Sequence, residues 1–129
     1  MSLEEDIKVK LFTRGLNAFN KHEFYDAHEY WEDLWSDYKL KDAKFIQALI
    51  QLSVGYFHIT NLNINGANGL LKKCMPKFIL FKPFQRGLNV DNIIISVESS
   101  LKNLDNIENI TEFDWNLVPK LEIDELQSV

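Results

Sequence analysis

Phe45-Ile46-Gln47-Ala48-Leu49-Ile50-Gln51-Leu52-Ser53-Val54-Gly55-Tyr56-Phe57-His58-Ile59-Thr60-Asn61 contains no charged residue and no proline. It is long enough for about four or five helical turns. At about 100° per residue, Ile46, Ile50 and Phe57 fall on one side. Phe45, Ala48, Leu49, Leu52, Tyr56 and Ile59 cover the other. Gln47, Gln51 and His58 share one polar stripe about 40° wide. A helix that is apolar nearly all round is a buried one, so the spacing predicts a central helix over about residues 43–61. Its stripe then needs internal partners, because an unpaired buried polar group costs about 1–3 kcal/mol.

The flanking segments keep the helical period. From about Glu4 to Asn20, Ile7, Leu11 and Ala18 interleave with Val9, Phe12, Leu16 and Phe19, and acids fill the first turn, where the helix dipole favours them. From about Glu23 to Tyr38, Phe24, Ala27, His28, Leu34, Trp35 and Tyr38 cluster within about 60° of Trp31, so both tryptophans are expected in the core. Glu32 lies at the margin of that face, with Tyr25 just beyond it. Asp26, Glu29, Asp33 and Asp37 take the far side. Lys39 to Asp42 is a short connector, with Asp42 a candidate N-cap, and such links give antiparallel neighbours.

Leu62 to Gly66 reads as a turn. A fourth helix follows from about Asn65 to Met75, with Gly66 and Gly69 allowing close backbone approach. Pro76 is expected to kink or restart it. Pro83, Gln85 to Gly87 and Asn89 mark a loop, and no strand pairing is convincing. Asp91 caps a last helix to about Leu104, with Ile94, Val97, Leu101 and Leu104 inward. The tail is apolar at Phe113, Trp115, Leu117, Val118, Leu121 and Ile123, but Pro119 argues against helix, so it reads as an extended strap. The fold class is therefore all-α. It is a compact bundle of about five helices around the central one, with a C-terminal strap, and residues 1–129 form one helical domain.

Composition narrows the function classes. The 129 residues are 46% hydrophobic and carry a net charge of −5. That surface repels phosphate backbones, so no nucleic-acid partner is expected. Cys74 is the only cysteine, which rules out an intrachain disulfide and suits a reducing cytosol. The start, Met1-Ser2-Leu3-Glu4-Glu5-Asp6, is acidic where a secretory signal is basic. The central run holds too many polar groups for a membrane span. The expected location is cytoplasmic, with no membrane partner. No Gly-rich phosphate loop or nucleophile elbow appears, and Cys74 sits in an apolar helical context that suits a structural role.

One constellation carries chemistry. His28 and Glu32 stand four apart on one helix and are neighbours there. In an antiparallel hairpin Glu32 falls near Gln47 or Gln51, and His28 falls toward Gly55 and His58. Carboxylate, carboxamide and imidazole pair well. The cluster reads as an internal network, as a site for a small polar ligand or protein partner, or as a metal centre. As a ligand site it comprises Tyr25, His28, Glu32, Gln47, Gln51 and His58. As a metal centre, His28, Glu32 and His58 form a two-His, one-carboxylate set suited to a divalent ion such as iron, manganese or zinc. Glu29 is then the candidate base of a hydrolase-like enzyme. Against that, His28-Glu29-Tyr30-Trp31-Glu32 lacks the second His of the zinc-protease motif. The ligand, any catalysis and the oligomeric state are left open.

At these residues the sequence resembles a known family. Phe19-Asn20-Lys21-His22-Glu23-Phe24-Tyr25-Asp26-Ala27-His28-Glu29-Tyr30-Trp31-Glu32-Asp33-Leu34-Trp35 resembles the signature F-x-x-x-E-[FY]-[FYW]-x-A-H-E-x-x-E-x-x-W of the DUF309 family of small helical proteins. Phe45 to His58, with Asn65-Gly66-Ala67 and Leu70-Leu71, fits a second signature. The resemblance covers about residues 15 to 71. It implies a compact all-helical fold and no established activity. Its recurrent polar positions land on His28, Glu29, Glu32, Gln47, Gln51 and His58. Gly15, Ala27 and Trp31 also stand roughly where a tetratricopeptide hairpin wants small and large residues, a packing likeness only, since one hairpin is not an array.

Overall fold

The computed structural model describes residues 2–126. The five helices are α1 (Leu3–Asn20), α2 (Phe24–Asp37), α3 (Ala43–Thr60), α4 (Ile64–Ile79) and α5 (Val90–Asn106). Between α4 and α5 a small antiparallel hairpin pairs β1 (Phe84–Gln85) with β2 (Leu88–Asn89). After α5 the chain runs as a strap through two 3-10 turns, Ile110–Glu112 and Trp115–Leu117.

α3 is the centre, as its sequence requires. Phe45, Ile46, Ala48, Leu49, Leu52, Tyr56 and Ile59 are all buried. α2 and α4 pack on either side of it, antiparallel. Tyr25 at the start of α2 meets Phe57 at the end of α3, and Leu71 of α4 meets the backbone of Gly55. Tyr56 shows what lies on the inner face. Its ring touches Phe19 of α1 and Phe113 of the strap, and its hydroxyl is 2.8 Å from Ser100 Oγ of α5. Ser100 Oγ itself donates to the Ser96 carbonyl, so Tyr56 is the donor in that pair. Burial pushes the Tyr56 pKa above the ordinary tyrosine value, although the Ser100 bond opposes it. Cys74 is buried, donates to the Leu71 carbonyl at 3.1 Å, and burial pushes its thiol up to about 12. It stays a protonated core residue.

Several helix ends differ from the sequence reading. α4 does not break at Pro76 but runs to Ile79. Phe78, fully buried edge-on against Phe45 with centroids 5.8 Å apart, holds that last turn in place. Tertiary packing outweighs the lost backbone hydrogen bond. Asn89, not Asp91, caps α5 through the Asn92 N–H, while Asp91 pairs with Lys82 at 3.3 Å. The expected loop is a hairpin whose turn residues, Arg86 (φ 53°) and Gly87 (φ 76°), both have positive φ, as a two-residue primed turn demands. Leu101 is only half-buried. Gly69 has open space at its Cβ position, so only Gly66 of that pair serves close packing.

The strap is pinned at its far end. The Asn20 side chain accepts from the Leu121 N–H at 2.8 Å and donates to the Leu121 carbonyl at 3.0 Å, as a β neighbour would. Leu121 and Phe113 are buried beneath it. No helix among the described residues is long and apolar enough to cross a membrane.

Candidate functional site

α1, α5 and the strap all lie on the inner side of the α2–α3–α4 layer, so its outer side is open. Along α3 that side carries Gln47, Ile50, Gln51, Val54, Phe57 and His58, every one half-buried. Along α2 it carries Tyr25, His28, Glu32 and Trp35, about 80° of one edge. His28 is half-buried, whereas Glu32, Tyr25 and Trp35 are exposed, Trp35 at 39%. The polar stripe is thus not an internal cluster, and only Trp31 of the two tryptophans is core. The sequence gives the order of residues round each helix; it does not show that no further helix covers this side.

The two imidazoles have defined tautomers. His28 Nδ1 is 3.1 Å from the Tyr25 carbonyl, which only accepts, so Nδ1 carries the proton and Nε2 is an acceptor. The Asn63 Oδ1 caps α4 by accepting from the Gly66 N–H, which fixes its amide nitrogen toward His58 Nδ1 at 3.4 Å. There Nδ1 accepts and Nε2–H is a donor. The backbone at Gly66 comes so close that a Cβ added there would lie 2.8 Å from the His58 ring.

The expected contacts between helices do not form. Among the described residues no hydrogen bond or ion pair joins Glu32 to Gln47, Gln51 or either histidine. The Gln51 Oε1 atom is enclosed yet has no partner. The metal set is a correction as well. His28 belongs to the α2 edge and His58 to the α4 edge, with the breadth of α3 between them. No three His, Cys, Asp or Glu side chains among the described residues stand together as a metal-binding group. Glu29, the candidate base, is exposed about 60° round α2 from Glu32. Tyr25 stands between His28 and Phe57, with ring centroids 5.2 Å and 5.4 Å from its own.

Outside this face, a cleft of roughly 420 Å³ separates the start of α5 from the strap, lined by Asn89, Asn92, Ser96, Asn116, Lys120 and Glu122 among others. Its mixed polar lining comes from residues that no periodicity or motif groups together.

The family model described as "Domain of unknown function (DUF309)" matches residues 12–70. Residues 12–70 are assigned to the DUF309 family. The DUF309 match runs from mid-α1 into α4 and contains every candidate residue named above. It also contains Gly15, Gly55 and Gly66, whose missing side chains set the spacing of these helices. The lysines of α4, Arg86 and the strap lie beyond it. A comparison of this DUF309 chain with curated proteins finds no match.

Proposed function

We propose that this DUF309 protein is a partner-binding module, one helical domain whose working surface is the open outer face of α2, α3 and α4. The observation that carries the reading is Gln51. Its Oε1 is enclosed and left without a partner, a cost of about 1–3 kcal/mol from which folding gains nothing. Around it stand an unpaired carboxylate (Glu32), a second carboxamide (Gln47), the His28 acceptor and the His58 donor. Trp35 and Tyr25 flank them, exposed aromatics of the kind that anchor interfaces. Exposed aromatics beside partly buried polar groups suit a macromolecule better than a small ligand.

A binding role predicts that these groups are not optimised for folding. Gln51→Met, close to isosteric, is expected to raise the stability of the dilute protein by about 1 kcal/mol, because it removes an unmet acceptor. Urea unfolding measures this. A loss of more than about 1 kcal/mol would mean Gln51 works inside the fold and would remove the main support for the reading. A His28→Ala and Glu32→Ala double-mutant cycle should likewise show coupling below about 0.5 kcal/mol, since no bond joins the two.

A further inference from the structure

Charge is divided across the open face. α2 carries five acids and no Lys or Arg; α4 carries three Lys and no acid. Of these, Glu32 on the α2 edge and Lys73 and Lys77 on the α4 edge flank the α3 stripe. Within one chain they cannot neutralise each other, because α2 and α4 lie on opposite sides of α3, about 16–20 Å apart. Glu29, Glu32 and Lys73 make no ion pair among the described residues.

The levels of these charges can be read along α3. Tyr25 meets Phe57, and Gly66 meets His58, so Tyr25 and Gly66 mark the same level on the two flanking helices. Glu32 lies seven residues beyond Tyr25, and Lys73 lies seven residues beyond Gly66, so these two share a level two turns further on. Trp35 is ten beyond Tyr25 and Lys77 eleven beyond Gly66, one turn lower again. On the helical wheel Leu70, Lys73, Lys77 and Leu80 share the Gly66 edge to within about 40°. Leu80 is 64% exposed, and nothing approaches the Cβ position of Gly69.

We infer that the occupant of this face is a second copy of the chain, related by a two-fold axis that runs parallel to α3 in the plane of the interface. This rests on the partner-binding reading above and names the partner. Such an axis exchanges left and right while keeping the level. The acidic α2 edge of each copy then covers the basic α4 edge of the other. Glu32 faces Lys73, Trp35 faces Lys77 and Leu80, and each contact occurs twice. The α3 stripes meet at the axis, with Gln47 and Gln51 of one copy set against those of the other. A two-fold axis perpendicular to α3 would instead stack acid on acid. With α3 about 27 Å long and three helices about 25 Å across, the face offers on the order of 700 Å² per copy. That is close to the roughly 800 Å² of a standard interface.

Charge reversal at the two exposed positions tests this in the full chain. Sedimentation equilibrium of the wild type should show a dimer whose dissociation constant rises with salt. Glu32→Lys alone and Lys73→Glu alone should each weaken self-association at least tenfold, with unchanged far-UV circular dichroism. An equimolar mixture of the two variants should dimerise again, because in that heterodimer both cross-copy pairs are once more opposite in sign. The Glu32→Lys/Lys73→Glu double variant should do the same alone. A wild type that stays monomeric up to about 1 mM overturns the second-copy assignment and leaves the face to a different protein, with the Gln51→Met result unaffected. A dimer indifferent to both reversals overturns it equally.

Discussion

Gly15→Ala should cost the protein at least about 3 kcal/mol and lower its melting temperature by roughly 12 °C or more. Helix propensity alone predicts the opposite, since Ala in a helix interior is favoured over Gly by about 0.8–1 kcal/mol. Position 15 of α1 lies directly under Trp31 of α2. A Cβ there would stand 2.1 Å from Trp31 Nε1 and 2.4 Å from Cε2. The indole cannot retreat, because it is fully buried and its Nε1–H donates to the Phe12 carbonyl at 3.3 Å. The Phe19 ring packs against the indole, with centroids 6.0 Å apart, and is itself backed by Phe24. Relief requires α1 and α2 to separate along their contact. Adding Trp31→Leu should recover part of the loss, and a double-mutant cycle should give a coupling of 1 kcal/mol or more. Thermal unfolding of the single variant decides the matter. A loss below about 1 kcal/mol would show that the two helices are not in this tight contact.

Trp31 and Trp35 show where sequence reasoning holds and where it stops. One turn apart, they share a stripe on the wheel, yet one is fully buried and the other 39% exposed. Periodicity gives the direction a side chain leaves its helix; whether anything waits there depends on which elements the chain places nearby. The same limit explains the polar stripe. Gln47, Gln51 and His58 do share one edge of α3, as their spacing required, but α1, α5 and the strap all cover the opposite side. Pro76 misleads in the other direction: a local breaker signal is outweighed by Phe78, a buried ring packed against Phe45 that no dipeptide rule contains. The links that tie the fold's ends together left no local signature at all. Asn20 and Leu121 are 101 positions apart, and Asp42 and Arg86 are 44 apart.

That last pair carries the second large effect. Asp42 holds the N-cap position of α3, as its sequence context suggests, but its side chain makes no capping bond. Its carboxylate reaches across to the hairpin. Oδ2 accepts from Arg86 Nε at 2.6 Å and Gln85 Nε2 at 3.0 Å, and Oδ1 accepts from Arg86 Nη2 at 2.9 Å. The guanidinium also lies over the Phe12 ring, 4.8 Å from its centroid. One carboxylate therefore joins α1, the start of α3 and the positive-φ turn. The neighbouring Gly87 carbonyl in turn accepts from the Asp124 N–H of the strap. Removing it leaves a largely enclosed guanidinium without its acceptors, so Asp42→Ala should cost about 2–3 kcal/mol, discounted for the part of Arg86 that water still reaches.

The pH dependence follows from the same contacts. Burial alone would raise the Asp42 pKa, but the Arg86 hydrogen bonds and charge, helped by Gln85, outweigh it and hold the carboxyl below its ordinary value. In the unfolded chain that value is about 3.9. Between the two pKa values the unfolded state binds more protons, so stability rises with pH across that window. The Asp42 contribution is complete above the unfolded value and is lost as pH falls through the folded one. Asp42→Asn keeps one acceptor oxygen but no charge. The stability gap between wild type and Asp42→Asn should therefore be full and flat above about pH 5 and shrink steadily on acidification below about pH 4. Urea unfolding across that range measures the gap. A gap that stays constant through the acid limb would mean that the charge on Asp42 does not hold the hairpin to α3.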